Sequence, residues 1–196
     1  VVETDQDVAL LDLDNVRTKP QRPEITVRLT SGTSSLPNRP GGIVVDDGLA
    51  ARNDDARIGI RLENNSSVVA LTLVANVPGA KTEDPAQQPN DFRAEVNLAD
   101  VGGVAGDIAF VRTALGLRLA AIVPANKRAV LLDLDTSIAT NVDLPDPYSK
   151  ISLVTNSVGG AGGDTVLLYG TGGSRGVALW SLGRATGQPY RSVEVV

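Results

Sequence analysis

The segment "DVALLDLDNV", beginning at Asp7, returns almost unchanged as "RAVLLDLDTS" at Arg128. Two further strings align with this pair: "SVVALTLVAN" from Ser67 and "RGVALWSLGR" from Arg175. Set in register, Val8, Val68, Ala129 and Val177 occupy one position. The spacings are 68 − 8 = 60, 129 − 68 = 61 and 177 − 129 = 48. Recurrence at this period constrains the fold more than any other feature. It is the signature of stacked units, none of which buries its apolar surface alone.

Each copy is β-rich and is followed, after a looser segment, by a second strand-like run. These runs are "EITVRL" at 24–29, "FRAEVNL" at 92–98, "ATNVDL" at 139–144 and "RSVEVV" at 191–196. Two more runs precede each later copy. They are "GGIVVDDG" (41–48) with "ARIGIRLEN" (56–64), "GDIAFVRT" (106–113) with "LRLAAIVPAN" (117–126), and "KISLVTN" (150–156) with "DTVLLYG" (164–170). All are short, rich in Val, Ile and Leu, and bounded by Gly, Pro, Asn or Asp, as strands and turns are. Some alternate, with Glu24, Thr26 and Arg28 set against Ile25, Val27 and Leu29. Others are apolar throughout, as a strand buried on both faces is.

Each unit therefore reads as a four-stranded antiparallel meander. The predicted fold is all-β, built of β-propeller blades. A partial blade spans 1–30 and full blades span about 41–98, 106–144 and 150–196, in one assembly over 1–196. About three and a half blades do not close a ring, since propellers typically need four to eight. Three things can complete it: the remaining blades of the same propeller, another protein, or a second copy in a homo-oligomer. A primary translation product begins with Met and this chain begins with Val1, so part of a longer propeller is expected. The main alternative is a β-sandwich, which uses similar short strands. A helix over "ALGLRLAAIV" (114–123) competes for one segment, but Gly116 and Pro124 bracket a run too short for a stable helix.

The segments "PGGIVVDDG" (40–48) and "LRLAAIVPANKRAVLLDLDT" (117–136) resemble the repeats of extracytoplasmic YVTN-type propellers. In those, a Pro-Gly turn enters the inner strand, an Asp-Gly turn leaves it, and a "V-x-V-x-D-x-x-T" strand follows. The resemblance implies an extracytoplasmic or secreted protein. The YVTN tetrapeptide, the Gly-His and Trp-Asp pairs of WD40 blades and the tryptophan docking pattern of quinoprotein propellers are all missing.

Composition removes most chemistry. The chain has no Cys and no His, hence no disulfide, no thiolate nucleophile and none of the commonest general base or metal ligand. A net charge of −5 with mixed signs speaks against a nucleic-acid partner, which wants a basic stripe. No apolar run approaches the length of a membrane-spanning helix. "RNDDAR" (52–57) is a solvated loop.

The remaining motifs read as structural. "GTGGSRG" (170–176) has a phosphate loop's glycines but lacks Lys-Ser/Thr and the helix that aims amides at phosphate, so a hairpin turn is expected there, as at "VGGAGGD" (158–164). Asp12 and Asp14 recur as Asp133 and Asp135. Carboxylates at i, i+2 share a strand face and suit Ca²⁺, but a turn-capping Asp at a repeated strand end is the simpler role. Asp46-Asp47-Gly48 and Asn64-Asn65-Ser66-Ser67 read as turns, the latter containing overlapping glycosylation sequons. None of the four lysines, Lys19, Lys81, Lys127 and Lys150, lies in a Ser-x-x-Lys pattern. The six aromatics, Phe92, Phe110, Tyr148, Tyr169, Trp180 and Tyr190, do not recur once per blade as a lectin platform does. Trp180 is expected to pack between blades. The long "ANVPGAKTEDPAQQPND" (75–91) is placed between the third and fourth strands of its blade, on one rim. No catalytic, cofactor or metal residue is assigned. The functional expectation is a scaffold that binds a protein partner through a loop rim. The alternative is a propeller hydrolase or lyase whose site is completed by further blades or a partner chain.

Overall fold

The computed structural model describes residues 2–3, 7–11, 24–29, 39–46, 56–75, 92–154, 163–170, 176–182 and 190–194. It is all-β, in four antiparallel sheets. The first sheet holds β1 (Val2–Glu3), β2 (Asp7–Leu11) and β3 (Glu24–Arg28). The second holds β4 (Arg39–Asp46), β5 (Ala56–Glu63), β6 (Ser67–Ala75) and β7 (Phe92–Asp100). The third holds β8 (Asp107–Thr113), β9 (Gly116–Val123), β10 (Arg128–Leu132) and β11 (Ala139–Asp143). The fourth holds β12 (Lys150–Val154), β13 (Thr165–Tyr169), β14 (Gly176–Ser181) and β15 (Tyr190–Glu194). In every sheet the strands lie in chain order, so each is a simple meander.

Val8, Val68, Ala129 and Val177 are each the second residue of a strand: β2, β6, β10 and β14. The first sheet differs from expectation by one element. Besides its third and fourth strands it carries the two-residue β1, paired Val2↔Ala9 and Glu3↔Val8. Two residues are too few to show a period in sequence.

The sheets stack in chain order. β8 lies against both β4 and β12, so the first strands are neighbours. Their like ends sit together: Asp46 at the end of β4 meets Arg112 at the end of β8, while Asp107 at the start of β8 meets Ile151 at the start of β12. This is the arrangement of propeller-like blades and not of two face-to-face layers. No closed ring is present among the described residues.

Three cores fill the three gaps. Between the first and second sheets lie Val8, Val27, Ile58, Ile60, Val69 and Leu71. Between the second and third lie Val68, Ala70, Ile108, Leu119, Ala121 and Val130. Between the third and fourth lie Ala120, Ile122, Ala129, Val166, Leu168 and Trp180. Consecutive residues of one strand thus enter different cores, as the two-residue strand period requires. β9 sends Leu119 and Ala121 to one gap, and Ala120 and Ile122 to the other. That explains a continuous apolar run that helix propensity alone reads ambiguously, and residues 116–123 are strand.

Turns follow the local chemistry. Asn64 takes a left-handed φ of 58° between β5 and β6, and the Asn65 side-chain oxygen accepts from the Ser67 amide at 2.9 Å. Val123 leads into a one-turn 3-10 helix, Pro124–Asn126, closed by Lys127 in the left-handed region. β4 carries a register shift between Pro40 and Gly42, where proline lacks the ladder donor. Glycine is also required in mid-strand at Gly59: a Cβ there would sit 2.8 Å from Leu119 Cδ1 in the adjacent sheet.

Two substitutions test this packing. Gly59→Val should overpack the second gap and destabilise by about 1–3 kcal/mol. Trp180→Ala should empty the third gap and cost about 3–5 kcal/mol, a fall in thermal midpoint of roughly 10 °C. Circular dichroism melts read both.

Candidate functional site

The ends of β4, β8, β10 and β12 share one rim of the stack. That rim also carries the Thr113–Gly116 turn, joining β8 to β9, and the 133–138 turn, joining β10 to β11. The connections 47–55, 76–91 and 155–162 depart from the same end but lie outside the described residues. Position 76–91 falls between the third and fourth strands of its sheet.

Five large apolar side chains are exposed at this rim: Val45, Leu115, Ile138, Leu153 and Val154. Leu115 is the most open, at 82% exposure, held out at the tip of a tight turn. The turn is fixed by Thr113, whose hydroxyl donates to the Gly116 carbonyl at 3.0 Å and accepts from the Leu115 amide at 3.1 Å. Gly116 supplies the positive φ of 108° that a side chain resists.

Beside this turn a groove of about 420 Å³ opens between the third and fourth sheets. Leu115, Leu131, Val142, Trp180 and Leu182 form most of its wall, with Arg118 at one side. Arg118 is neutralised in place: its guanidinium lies 2.8 Å from Asp133 and donates to the Leu117 carbonyl at 2.7 Å. The groove is apolar and its one cation is spent. It suits an aliphatic or aromatic group, not an anion.

The acidic motifs serve the framework. Asp133 Oδ1 accepts from the amides of Asp135 and Thr136 at 3.0 and 3.1 Å, a capped turn. Asp135 reaches across to Arg57 of the second sheet at 2.9 Å. Asp107 accepts from the Ile151 amide at 3.2 Å, with Lys150 Nζ 3.9 Å away. Asp164 exchanges two bonds of 2.7 Å with the Arg112 backbone, accepting through its carboxylate and donating through its amide. Arg112 in turn donates to Asp46 at 3.4 Å. Asp46, Arg112 and Asp164 therefore tie three consecutive sheets. Asp12, Asp14, Asp47, Gly48, Lys19 and Lys81 lie outside the described residues, among which no cluster of three or more metal-ligating side chains forms.

The glycine-rich strings connect antiparallel neighbours: 170–176 joins β13 to β14, and 158–164 lies between β12 and β13. Their central residues are outside the described set, and the described residues on both sides of each are strands. Trp180 is buried between the sheets as expected and also walls the groove. The groove itself was not legible in sequence, because its walls come from residues separated by up to 69 positions (182 − 113). The one local signal is a leucine in the "TALG" turn.

Burial, the largest single influence on Asp133, pushes its carboxyl up. The amides of Thr136 and Asp135, the Arg118 guanidinium and the Thr136 hydroxyl together hold it below the ordinary value of 3.8. A carboxylate with a depressed folded pKa stabilises the fold above its unfolded pKa and loses that contribution as pH falls through the folded value. Asp133→Asn should therefore be less stable than the parent at pH 7. The gap in urea midpoint should narrow progressively below about pH 4.

No family model, no curated protein and no solved structure matches this chain.

Proposed function

We propose that the protein is a non-catalytic interaction module, a rigid stack of propeller-like blades that binds apolar side chains of a protein partner. The binding site is the groove between the third and fourth sheets, with the apolar rim around it. The observation that carries this reading is the groove itself: exposed Leu115, on the β8–β9 turn, stands at a concavity walled by Leu131, Val142, Trp180 and Leu182 between the third and fourth sheets. Isolated exposed apolar residues are ordinary, whereas a cluster beside a concavity marks interaction surfaces.

Two further facts support binding over chemistry. The described aspartates near the rim are engaged by backbone amides or arginines. A catalytic carboxylate needs freedom to exchange protons with substrate. The likeness of "PGGIVVDDG" to extracytoplasmic YVTN-type repeats supports an extracytoplasmic setting for such a module.

Trp180 is the chain's single tryptophan, so its emission reports on the groove directly. Titration with N-acetyl tripeptide amides bearing Leu, Phe or Asp at the centre should shift Trp180 emission for Leu and Phe alone. Leu115→Asp and Thr140→Arg should each weaken that response at least tenfold. An absent response, or one of equal size with the Asp peptide, would refute the reading.

A further inference from the structure

β11 is the outer strand of the third sheet, in the order β11-β10-β9-β8, and no strand pairs with its outer edge among the described residues. The two ends of its ladder fix which backbone groups face that edge. The Asp133 amide donates to the Ile138 carbonyl at 2.9 Å, and the Leu144 amide to the Lys127 carbonyl at 2.7 Å. Hydrogen-bonded residues alternate along an antiparallel strand. Ile138, Thr140, Val142 and Leu144 therefore turn their backbone groups toward β10. Ala139, Asn141 and Asp143 turn theirs outward, one donor and one acceptor each. All three are exposed.

The side chains of β11 divide in the same way. Thr140 and Val142 line the groove, so the groove runs out to this open edge. Asn141 and Asp143 stand on the opposite face, where Asn141 is paired with Val130 of the core between the second and third sheets. Asp143 carries the charge of the edge. Its side chain is 92% exposed, and its pairing with Arg128 Nε is loose at 3.9 Å.

We infer that the groove's partner supplies an extended segment, which adds to β11 as a fifth antiparallel strand of the third sheet and reads basic, apolar, any residue, apolar. This rests on the groove reading above and names the form its occupant takes. A row of open amides and carbonyls is matched in register by another extended backbone. Residues directly opposite on neighbouring strands share a face, with Cβ atoms about 5 Å apart. The partner residues opposite Val142 and Thr140 therefore join the groove wall, and its apolar lining selects apolar side chains there. The residue opposite Asp143 lies on the other face, where an exposed carboxylate selects a base. A charge on an open edge also discourages indiscriminate pairing, so the same aspartate that admits a basic segment turns others away.

Amide hydrogen exchange on the whole chain tests this, with N-acetyl-Lys-Leu-Thr-Leu-Thr-amide as the probe. At saturation the Ala139, Asn141 and Asp143 amides should slow about tenfold, while those of Thr140 and Val142, already in the ladder, change little. N-methylation of the peptide's third residue, whose amide meets Asn141, should weaken binding about tenfold. N-methylation of its fourth residue, whose amide points away, should leave binding unchanged. Asn141→Pro removes an outward donor and no ladder bond, and should abolish the protection without altering the circular dichroism. Asp143→Lys should weaken binding about threefold and transfer preference to the peptide that begins with Glu. Equal effects of the two N-methyl groups, or unchanged amides at saturation, would overturn the proposal. So would protection in the peptide-free protein that grows with protein concentration, which would make the occupant a second copy. Trp180 emission separates the two readings. A peptide that moves Trp180 without protecting the three amides sinks strand addition alone, whereas one that leaves Trp180 unmoved sinks the groove reading and this one with it.

Discussion

Every other feature of this structure depends on one constraint: an apolar β-strand presents its successive side chains to opposite sides. β6 sends Val69 and Leu71 to one neighbour, and Val68 and Ala70 to the other. A sheet made of such strands is apolar on both faces and is unstable alone in water. Stacking resolves the problem for the second and third sheets, each covered on both faces. The layered architecture and the glycine at position 59 both follow from that one alternation. Gly59 is the point of closest approach, where the backbone of the second sheet admits Leu119 of the third.

Apolar burial is non-directional and leaves the rotation of one sheet on the next weakly specified. Polar ties supply the register. Asp46, Arg112 and Asp164 pin the first strands at one rim, and Asp107 with the Ile151 amide pins them at the other. Arg57 to Asp135 and Asn97 to Ser137 act farther out. Charged residues near a turn can suggest metal binding or catalysis, and in this chain the described ones hold sheets in place. The groove lies within that fixed geometry, with Trp180 of the fourth sheet and Leu131 of the third among its walls.

Sequence conveyed the strands well and the spaces between them poorly. The shared position of Val8, Val68, Ala129 and Val177 was readable because strand period and unit period reinforce one another. Asp133 as a turn cap was also readable, since its partners lie two and three residues away. Arg118, its other partner, was not, because that contact depends on the pairing of β9 with β10. β1 was missed for its two-residue length. The beginning of β4 at Arg39 was set two residues late because Pro40 and Gly41 look like a turn and are instead a bulge within the strand. The groove escaped for the same reason that long-range sites do: no local pattern encodes a gap between sheets.

The most direct measurement of the stacking claim is a nuclear Overhauser contact between the Gly59 α-protons and the Leu119 δ-methyls. These groups are 60 positions apart in the chain (119 − 59) and meet only if the second and third sheets pack as described. A strong cross-peak is predicted, together with long-range strand contacts for Arg128 with Val123 and Asp143. Absence of the Gly59–Leu119 contact, or sequential helical contacts through residues 116–123, would contradict the stacked-sheet account.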